Sequence, residues 1–214
     1  MPSREATVFI VDDDQGVRQT LEKLVKSVGL PVLTYRSADE FLKEYHPDWP
    51  GCLVLDVRMP GMSGLELQQT LRGRGVEIPT IFITGHGDVP VAVRALKDGA
   101  AEFLEKPFSS QMLLEYIRDA MKRDTSRRLL RFKHEIVASR LALLSDRERR
   151  VMELVVAGKV NKEIAAELNL SKKTVEVHSA HVMKKLQVES LAELVEQVVS
   201  SRLSPPTVPP AATA

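Results

Sequence analysis

The sequence predicts an α/β domain, a five-stranded parallel sheet with helices on both faces, followed by a smaller all-α domain of four helices. Three observations carry this. Short apolar runs and helix-period segments alternate five times over residues 1–122. The apolar runs are nearly unbroken, as in strands buried on both faces. Beyond residue 122 the strand signal stops, and only helical spacing continues.

The strands are expected at Val8–Val11, Leu53–Leu55, Ile81–Ile83 and Glu102–Leu104, with a weaker one at Val32–Tyr35. The first helix follows Asp14: Val17, Leu21, Leu24, Val25 and Val28 recur every three or four positions and mark one face. Phe41 and Leu42, then Leu65, Leu67 and Leu71, then Val91, Ala95 and Leu96, then Leu113, Ile117 and Met121 mark four more. A strand–helix alternation of this kind folds as a parallel sheet with crossover helices. Residues 123–140 form a basic linker, partly helical. Residues 141–200 carry helices near 145–157, 161–168, 172–186 and 190–200. Ser145 with Glu148 has capping-box spacing, Ser171 and Ser190 are further N-cap candidates, and Gly158 stands where a helix stops. Residues 201–214, rich in Pro, Ala and Thr towards the end, read as a disordered tail.

The chain has 214 residues, 43% hydrophobic and 28% charged, which fits two small globular domains. No apolar run approaches the ~18 residues that span a bilayer, and no signal peptide is evident, so a cytoplasmic protein without a membrane partner is expected. Cys52 is the single cysteine. It can form no internal disulfide, and its apolar neighbours place it in a buried strand. The net charge of +1 hides an asymmetry: residues 1–122 hold 14 Lys and Arg against 18 Asp and Glu, and the remainder 16 against 11. An acidic part can gather a cation, and a basic part can approach a polyanion.

Three carboxylates follow predicted strands: Asp12 and Asp13 after the first, Asp56 after the third. Ligands of open α/β sheets bind outside the carboxyl ends of the strands. If the first and third strands are neighbours, these like charges converge and require a cation. Hard oxygens of this kind suit Mg²⁺. Thr84 and Lys106 end the two later strands and offer a hydroxyl and an ammonium to a phosphoryl group. Together these are the parts for phosphoryl transfer to an aspartate. The competing reading, that strand-end Asp residues cap the following helices, suits Asp14. It does not account for Asp12, Asp13, Asp56, Thr84 and Lys106 together. His86 lies in the same Gly-rich loop and reads as solvent-facing rather than as a base.

In the second domain, the segments 161–168 and 172–186 are joined by Asn169-Leu170-Ser171, a helix-turn-helix candidate. Ile164, Ala165 and Leu168 are expected to pack inward, and so are Val175, Val182 and Leu186. The other face of the second helix shows Lys172, Lys173, Thr174, Glu176, His178, Ala180, His181, Lys184 and Lys185, with Val177 on the groove side. These suit phosphate contact and entry into a DNA groove. The alternative is a protein-interaction bundle with solvated lysines. His178 and His181 share a face, but no third metal ligand is evident.

Residues 7–122 resemble the receiver domain of two-component response regulators, a flavodoxin-like fold. The resemblance runs through Val11-Asp12-Asp13-Asp14, the stretch from Asp56 to Gly64, the Thr84-Gly85-His86-Gly87-Asp88 loop and Lys106-Pro107-Phe108. It implies that Asp56 is the phosphoacceptor, and that Asp12, Asp13, Asp56 and the backbone carbonyl of Arg58 hold Mg²⁺. It further implies that Thr84 and Phe103 are the switch hydroxyl and switch aromatic, and that Lys106 contacts the phosphate through a cis bond to Pro107. Residues 141–200 resemble the LuxR-type helix-turn-helix, through Leu144–Val151, Asn161–Ala165 and Ser171–His178. That implies base-reading positions at Glu176, Val177 and Ala180 and phosphate contacts at Lys172, Lys173, Thr174 and Lys184. The combined pattern is that of the NarL/FixJ family. It implies a partner histidine kinase, double-stranded DNA as ligand, and a homodimer when phosphorylated, with Val93 and Lys97 on the pairing surface. Release of the DNA domain from an inhibitory contact is the alternative output. A phosphatase working through an aspartyl phosphate would place a second carboxylate two residues after the nucleophile. Arg58 stands there, so no enzymatic turnover is expected.

Overall fold

The computed structural model describes residues 5–85 and 89–203. His86, Gly87 and Asp88, and residues 204–214 of the expected tail, lie outside the described residues. The chain divides into two compact units, the first ending at Arg128 and the second beginning at Leu129.

The first unit alternates as the periodicity requires: β1 (Thr7–Val11), α1 (Gln15–Ser27), β2 (Val32–Tyr35), α2 (Ala38–Glu44), β3 (Gly51–Asp56), α3 (Gly64–Gly73), β4 (Thr80–Thr84), α4 (Val89–Lys97), β5 (Glu102–Glu105) and α5 (Ser110–Ala142). All five strands are parallel, in the order β2-β1-β3-β4-β5. Successive side chains of a strand point to opposite faces, and the two apolar layers divide accordingly. Phe9, Val11, Leu53, Leu55 and Phe82 pack with Phe41 of α2, Leu67 and Leu71 of α3 and Ala95 of α4. Val8, Ile10, Cys52, Val54, Ile81 and Ile83 pack with Leu21 and Val25 of α1 and with Leu113 and Ile117 of α5. Cys52 is fully buried, and that burial pushes its thiol pKa up.

Helix α5 is longer than the period of its apolar face required. It continues without a break through the segment expected to be a partly helical linker, and the first unit reaches Arg128 rather than residue 122. Asp124 lies on the added stretch; it is 1% exposed and accepts hydrogen bonds from Gly51 N, Arg127 and Arg128, so this turn of the helix is tied to the start of β3.

The second unit holds α6 (Asp146–Val156), α7 (Asn161–Leu168), α8 (Lys172–Leu186) and α9 (Leu191–Leu203). Among the described residues four helices follow α5. Ser145 and Glu148 form the capping box, and Ser171 and Ser190 cap α8 and α9. Helix α9 runs through Leu203, past the expected start of the tail at residue 201. Val151, Leu154, Ile164, Ala165 and Val175 make one apolar cluster. Leu144, Met152, Val182, Leu186, Leu194 and Val198 belong to another.

Candidate functional site: an acidic pocket and a recognition helix

Strand register builds the acidic pocket. Val11 pairs with Leu55, so the next residues, Asp12 and Asp56, stand side by side where β1 and β3 end. Both are buried, at 1% and 6% exposure. Asp12 Oδ1 accepts from Asp14 N at 2.8 Å, and Asp56 Oδ2 accepts from Arg58 N at 2.8 Å. The remaining oxygens, Asp12 Oδ2 and Asp56 Oδ1, each lie 3.0 Å from Lys106 Nζ. Lys106 follows β5, and its backbone N–H is held by Thr84 O at 2.7 Å. Burial raises the Asp12 carboxyl pKa, partly offset by the bond from Lys106. Desolvation alone would lower the Lys106 ammonium, but its hydrogen bonds to Asp56 and Asp12 prevail and raise it.

Asp13 is exposed beside the pocket. Among the described residues no group of three carboxylate, His or Cys side chains is gathered as a metal cage; the cation joining Asp12 to Asp56 is Lys106. Arg58 is exposed. Thr84 is 2% exposed at the end of β4. Phe103 is half-buried, in register with Phe82, their ring centroids 6.4 Å apart. The Lys106–Pro107 bond is cis. On α4, Val93 is 44% exposed and Lys97 is exposed.

Two features escaped the sequence reading. Gly64 opens α3 directly under the pocket: a Cβ there would lie 2.2 Å from the Asp56 carbonyl oxygen, so only glycine fits. Arg18 donates to the Asp12 carbonyl oxygen at 2.7 Å and ties α1 to the end of β1.

The residues 8–118 match the family profile described as the response regulator receiver domain, and residues 142–198 match bacterial regulatory proteins of the luxR family. The chain is a two-component response regulator. It is 48% identical over 193 residues to nodulation protein W of Bradyrhizobium diazoefficiens, covering 90% of this chain and 85% of that one. It is 45% identical over 198 residues to the transcriptional regulatory protein FixJ of Azorhizobium caulinodans, covering 92% and 94%. Among solved structures, the response regulator StyR matches with a TM-score of 0.85 at 46% identity, over 91% of this chain and 98% of that one. Full-length FixJ from B. japonicum matches with a TM-score of 0.56 at 39% identity, over 94% and 98%.

In the LuxR-type unit of this regulator, α7 and α8 form the helix-turn-helix. Asn169 takes the left-handed conformation (φ 53°) that ends α7, and Ser171 Oγ accepts from Thr174 N at 3.0 Å to start α8. Val175, Val182 and Leu186 are buried, while Lys172, Lys173, Glu176, Val177, Ala180 and Lys184 are exposed. Thr174 is half-buried, and its hydroxyl shares a 2.7 Å hydrogen bond with Ser171. Lys185 does not belong to the open face where the sequence placed it. Its Nζ lies 2.6 Å from Glu148 Oε2 and 3.1 Å from the Leu143 carbonyl oxygen. His178 is likewise half-buried, its Nδ1 enclosed. No helix among the described residues is long and apolar enough to cross a membrane.

Proposed function

We propose that Asp56 accepts a phosphoryl group from a histidine kinase, and that this modification switches the DNA binding of the LuxR-type domain. The observation that carries this reading is the single ammonium held between two buried carboxylates, Asp12 and Asp56. Asp56 Oδ1 is the oxygen that Arg58 N does not hold, and it would serve as the nucleophile. Lys106 stands where it can leave the Asp12 contact and pair with phosphoryl oxygens. Mg²⁺ fits the donor set. Asp12 and Asp56 supply hard oxygens within reach of one cation, Asp13 adds charge at the mouth, and such an ion commonly uses one or two carboxylates plus waters. Asp12, Asp13, Asp56 and the Arg58 carbonyl would hold it, and it would neutralise charge on the phosphate. Thr84, at the end of β4, turns toward the phosphoryl group, and Phe103 repacks inward against Phe82. The change alters the surface around Val93, Lys97 and Phe103, where two receivers pair; release of the DNA domain is the other route. Either is a shift between two states.

At the DNA, α8 enters the major groove. Lys172, Lys173, Thr174 and Lys184 contact phosphates, and Glu176, Val177 and Ala180 face base edges. Glu176 accepts from cytosine N4. A dimer would read a pseudo-palindromic site. The chain works as a cytoplasmic regulator and not as an enzyme with small-molecule turnover.

Light scattering with Mg²⁺, before and after acetyl phosphate, tests the switch on wild type and Asp56→Asn. A mass increase in wild type alone supports pairing of receivers. An increase in both proteins rejects Asp56 as the trigger.

A further inference from the structure

Asp124 is a carboxylate with 1% exposure on the segment of α5 that the receiver profile, ending at residue 118, does not include. Its Oδ2 accepts from Gly51 N at 3.0 Å and from Arg128 Nε at 2.7 Å, and its Oδ1 accepts from Arg127 at 2.5 Å. Arg128 donates further to the carbonyl oxygens of Pro47 and Trp49 at 3.1 and 2.7 Å. Gly51 is the first residue of β3, and Asp56 is the last. Gly51 is also wedged: at φ +147° its absent Cβ would lie 1.8 Å from the Thr7 carbonyl oxygen. That end of β3 therefore runs too close to β1 for any side chain at this position.

Strand β3 is thus tied at both ends to one stretch of chain, Lys106 to Arg128. At its carboxyl end Asp56 meets Lys106; at its amino end Gly51 meets Asp124. The first compact unit ends at Arg128, the last residue of the clamp. Burying a carboxylate against arginines gains little stability over an apolar residue of similar size. What it adds is a directional attachment.

We propose that Asp124 is a positioning residue that couples the phosphoacceptor strand to the helix continuing beyond Arg128. This rests on Asp56 being the phosphoacceptor. When Lys106 turns from the two carboxylates to a phosphoryl group on Asp56, the tie at the carboxyl end of β3 changes while the Asp124 tie at its amino end persists. The change reaches α5 through Asp124, and the residues after Arg128 carry it onward.

The test uses full-length wild type, Asp124→Asn and Arg128→Gln. It reads acetyl phosphate labelling, thermal melting, and affinity for a duplex selected by the wild type from a random pool, with and without labelling. Both variants are expected to label like wild type but to lose about fivefold or more of the labelling-dependent gain in affinity, the lower range of allosteric coupling. A purely structural clamp would move the melting temperature and leave the gain intact. Folded, labelled variants with the full gain overturn the proposal. If Asp124→Asn does not fold, Arg128→Gln decides, because it keeps Asp124 paired with Arg127 while removing the bonds that tie α5 to the Pro47 and Trp49 carbonyl oxygens ahead of β3. If labelled wild type itself gains no affinity, the switch reading of Asp56 fails and the coupling falls with it. Gain retained in the variants removes the coupling alone.

Discussion

Lys106 Nζ stands 3.0 Å from Asp56 Oδ1 across the end of β4, joining two elements that are not neighbours in the sheet. The same ammonium lies 3.0 Å from Asp12 Oδ2, so one positive charge holds two buried negative ones together. Replacing it by Lys106→Met is expected to cost the receiver about 1–3 kcal/mol, the usual range for leaving buried charges uncompensated at a partly solvated site. Mg²⁺ should return more stability to the variant than to wild type, since a divalent ion replaces the missing charge. Thermal melts with and without Mg²⁺ check this, and equal increments in the two proteins would count against the Asp12–Asp56 pair as a cation site.

Gly64 sets a steric limit on the same pocket. A Cβ at 2.2 Å from the Asp56 carbonyl oxygen cannot be accommodated without moving β3 or α3. Gly64→Ala should therefore destabilise the first unit by about 1–3 kcal/mol, as overpacking does, and should slow acetyl phosphate labelling. Denaturant melts together with labelling rates measure both effects.

Glu148 gives the second unit a pH dependence. The hydrogen bond from Lys185, with those from Ser145, pulls its carboxyl pKa from 4.5 down to about 2. A depressed folded-state value contributes stability that is fully present above pH 4.5 and is lost as the pH falls to about 2. Unfolding curves of wild type and Glu148→Gln over that window should differ in slope, the variant being flatter. Parallel curves would mean that Glu148 is not what the acid attacks.

The lysines of α8 separate into two kinds. Lys172→Ala and Lys173→Ala should each weaken DNA binding on all sequences and reduce the salt slope by about 0.9. Lys185→Ala should leave that slope unchanged and lower the melting temperature instead, because Lys185 is held by Glu148 and Leu143. Salt titrations of DNA affinity distinguish the two.

The order of strands and helices was legible because each element repeats its own period: Val8–Val11 as an unbroken run, Val175, Val182 and Leu186 as a stripe. Asp12, Asp56, Thr84 and Lys106 were legible because strand ends in a parallel sheet share one edge. The roles of Asp124, Lys185 and Gly64 were not. Asp124 meets Gly51 from 73 residues away, and Lys185 meets Glu148 from 37; neither pairing leaves a local pattern, and Lys185 was placed on the open face of its helix. The limit at Gly64 leaves no local pattern either, because the backbone that crowds it belongs to β3.

The most direct test of the central claim is intact-mass spectrometry of wild type and Asp56→Asn after acetyl phosphate and Mg²⁺. Wild type should gain one phosphoryl group and Asp56→Asn none. An equal gain in Asp56→Asn, or no gain in wild type, would contradict Asp56 as the phosphoacceptor.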